Sequence, residues 1–413
     1  MINATLNAIR RRTLPEPDAN PQPPGSGPHV LGNTPPSDWT APETWPNSPA
    51  AWVSQWDIAA RTLQLLAHSA WSKNTLEEQR TLSGHARAHL QHLRRNRTSN
   101  TAESAALCDA AQVIVATHFN GWPESNRWIA QGYRRLESSL AAQMGAANAP
   151  THDPLHLEQC LWAVALAYAT TNKAGQAFPA SILRTWRSGV QTTVDIAGTS
   201  GRIPILDGER TPILPLGPTP ITTTLAHLAY HWTDLDCPRH EGEDLAFTRL
   251  TDASPQSRDW QTHKHWHANS WRDQGFVTAH NGVHHLLGRA NDQAIWWLVN
   301  GHRLVHGSAT NLVRTGAQME VARIDGRVFH MKLGDRVARM EGARLAVTDT
   351  AANRMLRWTF PTGTTITPTP KGFSATTPLG NLNITAANGW IIDEHSIVHR
   401  DGNEDLTVRI ELK

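Results

Sequence analysis

The hydrophobic residues of this chain change period part-way along, and that change limits the fold more than any other feature. Between about residues 50 and 235 apolar side chains recur every three or four positions. Trp52, Trp56, Ala59, Leu63, Leu66 and Ala70 form one such stripe, the spacing of one helical face. Further helical stripes run through Leu76, Leu82, Ala86, Leu90 and Leu93, then Leu107, Ala110, Ala111, Ile114 and Val115. Others follow through Trp128, Ile129, Gly132, Leu136 and Leu140, and through Leu157, Leu161, Val164, Ala165 and Tyr168. Ile182, Trp186 and Val190 carry the next, and Leu225, Leu228, Ala229 and Trp232 the last. The connections are short or marked by Pro and Gly, as in HFNGWPES and AANAPTHDP. Consecutive antiparallel helices joined this way predict a helical-hairpin array. From about residue 270 the period becomes two: RMLRWTF, NLNIT and LTVRIEL alternate between turn-rich breaks. AIWWLV reads as a strand buried on both faces. Many short strands in so few residues predict an antiparallel sandwich.

The two periods divide the chain. Residues 1–49 form a Pro-rich arm, with eleven prolines between 14 and 49. Residues 50–235 are the helical domain, 236–270 an interdomain segment and 271–413 the β-sandwich domain. The 413 residues are ample for two cores.

Charge and cysteine use exclude several classes. Thirty-eight basic against 36 acidic residues give a formal charge of +2, too balanced for a nucleic-acid clamp or a polybasic membrane binder. No run of eighteen apolar residues spans a bilayer. The start, MINATLNAIRRR, lacks the apolar segment of a secretory signal, so the expected location is the cytoplasm, without membrane insertion. Cys108, Cys160 and Cys237 are too far apart for a disulfide framework or a CxxC zinc motif. Walker, GxGxxG, GxSxG and HEXXH patterns are absent. His263, His265 and His267 share one face of an extended strand and suit either a polar loop or zinc ligation. The expectation is therefore no cofactor, with a structural zinc possible and its ligands unassigned. The composition has two oddities: 17 Trp against 3 Tyr and 7 Phe, and only six Lys, which leaves 32 Arg among the 38 basic residues. Trp and Arg are favoured partners of sugar rings and carboxylates; core packing and biased codon use explain them equally well.

Several local phrases, in order, resemble the heparinase II/III-like polysaccharide lyases. Asp57-Ile58-Ala59-Ala60-Arg61 resembles the family's Ile-Ala-x-Arg helix. Ser99-Asn100-Thr101-Ala102-Glu103, running into Ala105-Ala106-Leu107, resembles its Asn-Asn-His segment and following helix. Trp128, Gly132, Leu136 and Gln143 resemble the helix before a Gln-x-x-x-Gly turn, and Ile203-Pro204-Ile205-Leu206-Asp207-Gly208 resembles its Pro-x-x-Gly-Asp segment. The resemblance covers much of 50–215 and implies an incomplete α/α toroid followed by an antiparallel β-sandwich. It also implies cleavage of an acidic, uronate-containing polysaccharide or oligosaccharide by β-elimination. The chain departs from the pattern at three places. Thr101 replaces the His after the paired Asn, and Leu155 of Pro154-Leu155-His156 stands where the catalytic Tyr belongs. The Asp of the family's His-Gly-His-x-Asp is missing after His306-Gly307.

That chemistry needs a donor to neutralise the uronate, a base for the proton beside it and an acid for the leaving oxygen. Asn100 matches the neutraliser, and is equally a good helix N-cap with Glu103 completing a capping box. His156 and His306 are the base and acid candidates. Glu103, Glu158, Trp162, Asp207, His302 and Arg303 are candidates for substrate binding. Arg314, Arg323, Arg339, Arg344, Arg354 and Arg357 recur through the β half; they suit carboxylate recognition or simply balance Asp and Glu on strand faces. Trp122 and Trp128 join Trp162 as candidate cleft rings, though at helical spacing such rings belong more often to a core. His284 and His285 are rivals to His306, but neighbours on a strand face opposite sides. Two alternatives stay open: a non-catalytic glycan-binding or assembly protein on the same scaffold, and an α/α-toroid glycoside hydrolase using Glu158 and Asp207.

Overall fold

The computed structural model describes residues 102–144, 154–198, 201–203, 219–239, 242–257, 266–271, 275–290, 293–300, 302–310, 319–350, 355–386, 389–399 and 406–413, with scattered positions between 75 and 94. The described positions from 76 to 94 are helical. Helices α1 (Ala102–His118), α2 (Ser125–Gln143), α3 (Pro154–Lys173), α4 (Ala180–Ala197), α5 (Ile221–Thr233) and α6 (Leu245–Thr251) follow.

α3 is the centre of the helical half. It is buried around its whole circumference, which is how a helix without a polar face must sit. α1 is enclosed almost as completely, whereas α2 and α4 turn one stripe inward. Trp128, Ile129, Leu136 and Leu140 do so on α2, and Ile182, Trp186, Val190 and Val194 on α4. Trp186 Nε1 donates to the carbonyl of Leu161 on α3 at 2.8 Å, so this large ring is buried without losing its donor's partner. α6 begins at Asp244, whose Oδ1 accepts from Phe247 N and from Thr224 Oγ1, both at 3.0 Å. Its Oδ2 lies 2.8 Å from His227 Nδ1. One buried carboxylate thus caps α6 and ties it to α5.

From His267 onward the described residues are strands and their turns. β1 (His267–Trp271), β2 (Phe276–His280), β3 (His284–Arg289), β4 (Ala294–Val299) and β5 (His302–Thr310) form consecutive antiparallel neighbours. β6 (Met319–Asp325), β7 (Val328–Leu333), β8 (Arg336–Glu341) and β9 (Arg344–Asp349) form a second meander, joined by two-residue turns. β10 (Met355–Thr359), β11 (Thr365–Thr369), β12 (Gly372–Thr377), β13 (Gly380–Ala386), β14 (Trp390–Asp393), β15 (Ser396–His399) and β16 (Leu406–Leu412) complete two eight-stranded sheets. Their orders are β1-β2-β3-β4-β5-β10-β15-β14 and β11-β12-β13-β16-β9-β8-β7-β6. The sandwich core between them holds Trp297, Phe329, Met331, Met340, Trp358 and Ile410. β7 and β8 alternate strictly between core and solvent. β2 and β4 are instead buried at every position, because the first sheet carries the helical half on its other face. The expected architecture, a helical array followed by an antiparallel sandwich, is the one found. Among the described residues no helix is long and apolar enough to cross a membrane.

Candidate functional site

The site is built where the helices meet the first sheet. Leu155 in the first turn of α3, Ile196 and Ala197 in the last turn of α4, and Ile203 pack onto Trp271, Phe276, Leu287, Ala294, Trp296 and Leu298. Strand register sorts the sheet residues on this face into cross-strand rows. Thr278, Leu287, Trp296, His306 and Thr359 are successive Cα partners on β2, β3, β4, β5 and β10. Trp296 and His306 therefore stand side by side, and their rings stack with centroids 4.9 Å apart and planes 3° from parallel. The Arg289 guanidinium lies 5.1 Å from the Trp296 ring centroid, within reach of a cation–π contact. Further along the sheet Arg357 donates to Asp393 Oδ2 at 2.6 Å, and Ser396 Oγ donates to Thr359 Oγ1 at 3.2 Å.

A second row holds His267, His280, His285, Leu298 and Arg303. The rings of His267 and His280 are 5.4 Å apart, those of His280 and His285 6.0 Å. His285 Nε2 lies 2.6 Å from Thr278 Oγ1. Burial drives the His285 imidazole down to about 3, with the neighbouring His280 adding to the shift; it is a neutral packing residue at any ordinary pH. Gly198, which ends α4 at φ +57°, lies directly over it: a Cβ there would be 3.2 Å from His285 Nδ1. His284 points the other way and accepts from Trp297 Nε1 at 3.3 Å, as strand alternation requires.

His156 follows Leu155 in the first turn of α3 and is half-buried. Leu155, the chain neighbour of His156, and Trp296, on which His306 stacks, belong to one apolar cluster. Glu158 is buried and accepts a hydrogen bond from Thr222 Oγ1 of α5, so it links two helices. Trp162 is a correction to the sequence reading. At 1 % exposure its ring is enclosed by the helical core and offers no face to a sugar. Trp128 is equally enclosed. Trp122 stacks on Phe119 at 4.7 Å and donates to Ser83 Oγ at 2.9 Å. His302 and Arg303 open β5 and are exposed. Glu103 lies in the first turn of α1. Asn100, Asp207, His263 and His265 lie outside the described residues, as do Arg314 and Arg354.

Arg339, Arg344 and Arg357 pair with Glu341, Glu411 and Asp393, so these three balance strand-face carboxylates. The three cysteines are buried and none is in a disulfide. Among the described residues no trio of His, Cys, Asp or Glu side chains is arranged to hold a metal ion. Arg289 and Trp296 are the members that sequence reading missed. Trp296 was visible in AIWWLV only as a buried ring, and nothing in the one-dimensional pattern pairs it with His306.

No protein-family model matches the chain, and no curated protein matches it. Solved structures do. A heparinase III crystal structure matches with a TM-score of 0.57 at 11% identity, covering 100% of this chain and 73% of the other. A mutant of heparan sulfate lyase HepC from Pedobacter heparinus matches with a TM-score of 0.53 at 12% identity, over 91% of this chain and 71% of that one. At this identity the likeness is one of fold: the chain has a distant heparinase-like fold.

Proposed function

We propose that the protein is a polysaccharide lyase that cleaves an acidic, uronate-containing glycan by β-elimination at the junction of the helical half and the first sheet. The observation that carries this reading is the His306–Trp296 stack with Arg289 beside it, set against the head of the helix that bears His156. The heparinase-like fold supports it, because the solved neighbours are by name a heparinase III and a heparan sulfate lyase.

In this reading Asn100 and Arg289 hold the uronate carboxylate, and His156 and His306 divide the base and acid roles. The base takes the proton from the carbon beside the carboxylate. The electron pair left behind forms a carbon–carbon double bond as the adjacent carbon–oxygen bond breaks. The acid then protonates the departing oxygen. Donors aimed at the carboxylate stabilise the charge that develops on it before the bond breaks. Imidazoles suit both proton transfers near neutral pH. Trp296, 1 % exposed, is the floor on which His306 rests rather than a platform for a sugar.

The test is new ultraviolet absorbance from the unsaturated uronate across a panel of acidic polysaccharides, lost in His306→Ala and Asn100→Ala. New reducing ends without absorbance mean hydrolysis and defeat the proposal. A second reading, a glycan-binding protein without catalysis, draws on one observation: Leu155 is enclosed in an apolar cluster where a hydroxyl would be needed. Retention on an acidic-glycan column with neither signal supports that reading instead.

A further inference from the structure

One charged group in the sandwich is built on a scale that stability alone does not call for. Arg336 opens β8 in the second sheet, yet its side chain is fully enclosed between the sheets. Its Nε donates to Asp349 Oδ1 at 2.7 Å and its Nη2 to Asp349 Oδ2 at 3.2 Å, the bidentate arrangement that a planar fork allows. Asp349 is its Cα partner on β9. The remaining nitrogen crosses to the first sheet. Nη1 donates to the carbonyl of Gln293 at 2.7 Å and to the carbonyl of Gly307 at 3.2 Å.

Those two carbonyls bracket the candidate site from behind. Gln293, held at φ +51°, immediately precedes β4, the strand that carries Trp296. Gly307 immediately follows His306 on β5 and is the Cα partner of Ile295. One guanidinium therefore clasps both strands whose outward side chains form the Trp296–His306 stack. Gly307 is fixed from the other side as well. A Cβ there would meet the Trp358 ring at 2.6 Å, so the backbone lies flat against the indole. An ion pair buried this deeply loses most of its attraction to desolvation, and a matched apolar pair of similar volume often stabilises a core equally well. What an apolar pair lacks is the fork that joins two carbonyls on separate strands.

We infer that Arg336, held by Asp349, is a positioning residue: by clasping the carbonyls of Gln293 and Gly307 it sets the seat of His306 against Trp296. The inference rests on the proposed role of His306 for its effect on turnover, but the seating itself is observable without activity.

The test compares the wild type with Arg336→Met/Asp349→Leu, which removes both charges together, and with Arg336→Lys, which keeps the charge and loses the fork. Each is checked for folding by circular dichroism. The expected result is a kcat lower by about ten- to a hundredfold with KM unchanged, the scale of a small misplacement of a catalytic group. A shifted His306 ring resonance is expected in labelled spectra, assigned by its loss in His306→Gln. In a His306→Ala background the double substitution should lower residual turnover no further. Folded variants with wild-type kcat and an unmoved His306 resonance overturn the inference, as does an equal loss of turnover in the His306→Ala background. If the wild type cleaves no glycan, the lyase reading falls and the His306 resonance alone decides the inference.

Discussion

Asp195 gives the sharpest test of how burial acts at the junction. It lies in the last turn of α4, one residue before the pair that packs on the sheet, and Gln191 Nε2 donates to it at 2.9 Å. Burial pushes its carboxyl from 3.8 up to about 6, and the Gln191 bond only partly opposes this. A shift of about two units corresponds to ~3 kcal/mol. The side chain keeps some contact with solvent, so about 1–2 kcal/mol is the reasonable expectation after screening. The sign follows from proton counting. Between these two values the folded protein holds a proton that the unfolded chain has released, so stability falls as pH rises through the interval and stays lower above it. Asparagine keeps an acceptor for Gln191 and carries no charge. Asp195→Asn should therefore be more stable than wild type by about 1–2 kcal/mol near pH 7 and no more stable near pH 3.5. Urea unfolding followed by far-ultraviolet circular dichroism at both pH values measures this. Equal stability near neutrality, or a gain of the same size in acid, refutes the argument.

Three further outcomes are expected. Leu155→Tyr, which restores the hydroxyl of the resembled family, should fail to raise turnover and should cost about 1–3 kcal/mol, because the added volume enters a filled cluster; urea unfolding and the absorbance assay check both parts. Gly198→Ala should cost about 1–3 kcal/mol from its positive φ, with crowding of His285 added; a lowered midpoint in urea is the readout. Arg344→Ala should change stability by less than about 1 kcal/mol, because its pair with Glu411 is exposed; a larger loss in the same assay would contradict that reading.

The two periods were legible because each secondary structure repeats its buried positions locally. So was AIWWLV, whose lack of alternation already said that two layers cover it. His284 and His285 were separable for the same reason. The Trp296–His306 stack was not, since it depends on the β4–β5 register and on a bulge between Trp297 and Leu298 that resets the pairing. The tryptophans illustrate the other limit. Spacing put Trp128 on an apolar stripe but left Trp162 off the stripe of its own helix, and only packing shows that both are core. Arg336 was within reach. Ala338 and Met340 face inward on β8, so the same alternation places Arg336 inward too; a charged residue type masked the signal.

The first sheet has no solvent side along β2 and β4. Trp271, Phe276, Leu287, Trp296 and Leu298 are greasy on the face turned away from the sandwich, and contiguous apolar surface of that kind is sticky when uncovered. The β half made by itself would therefore clump or recruit its own kind, and the helices serve it as a permanent lid whose removal turns a folding unit into a glue.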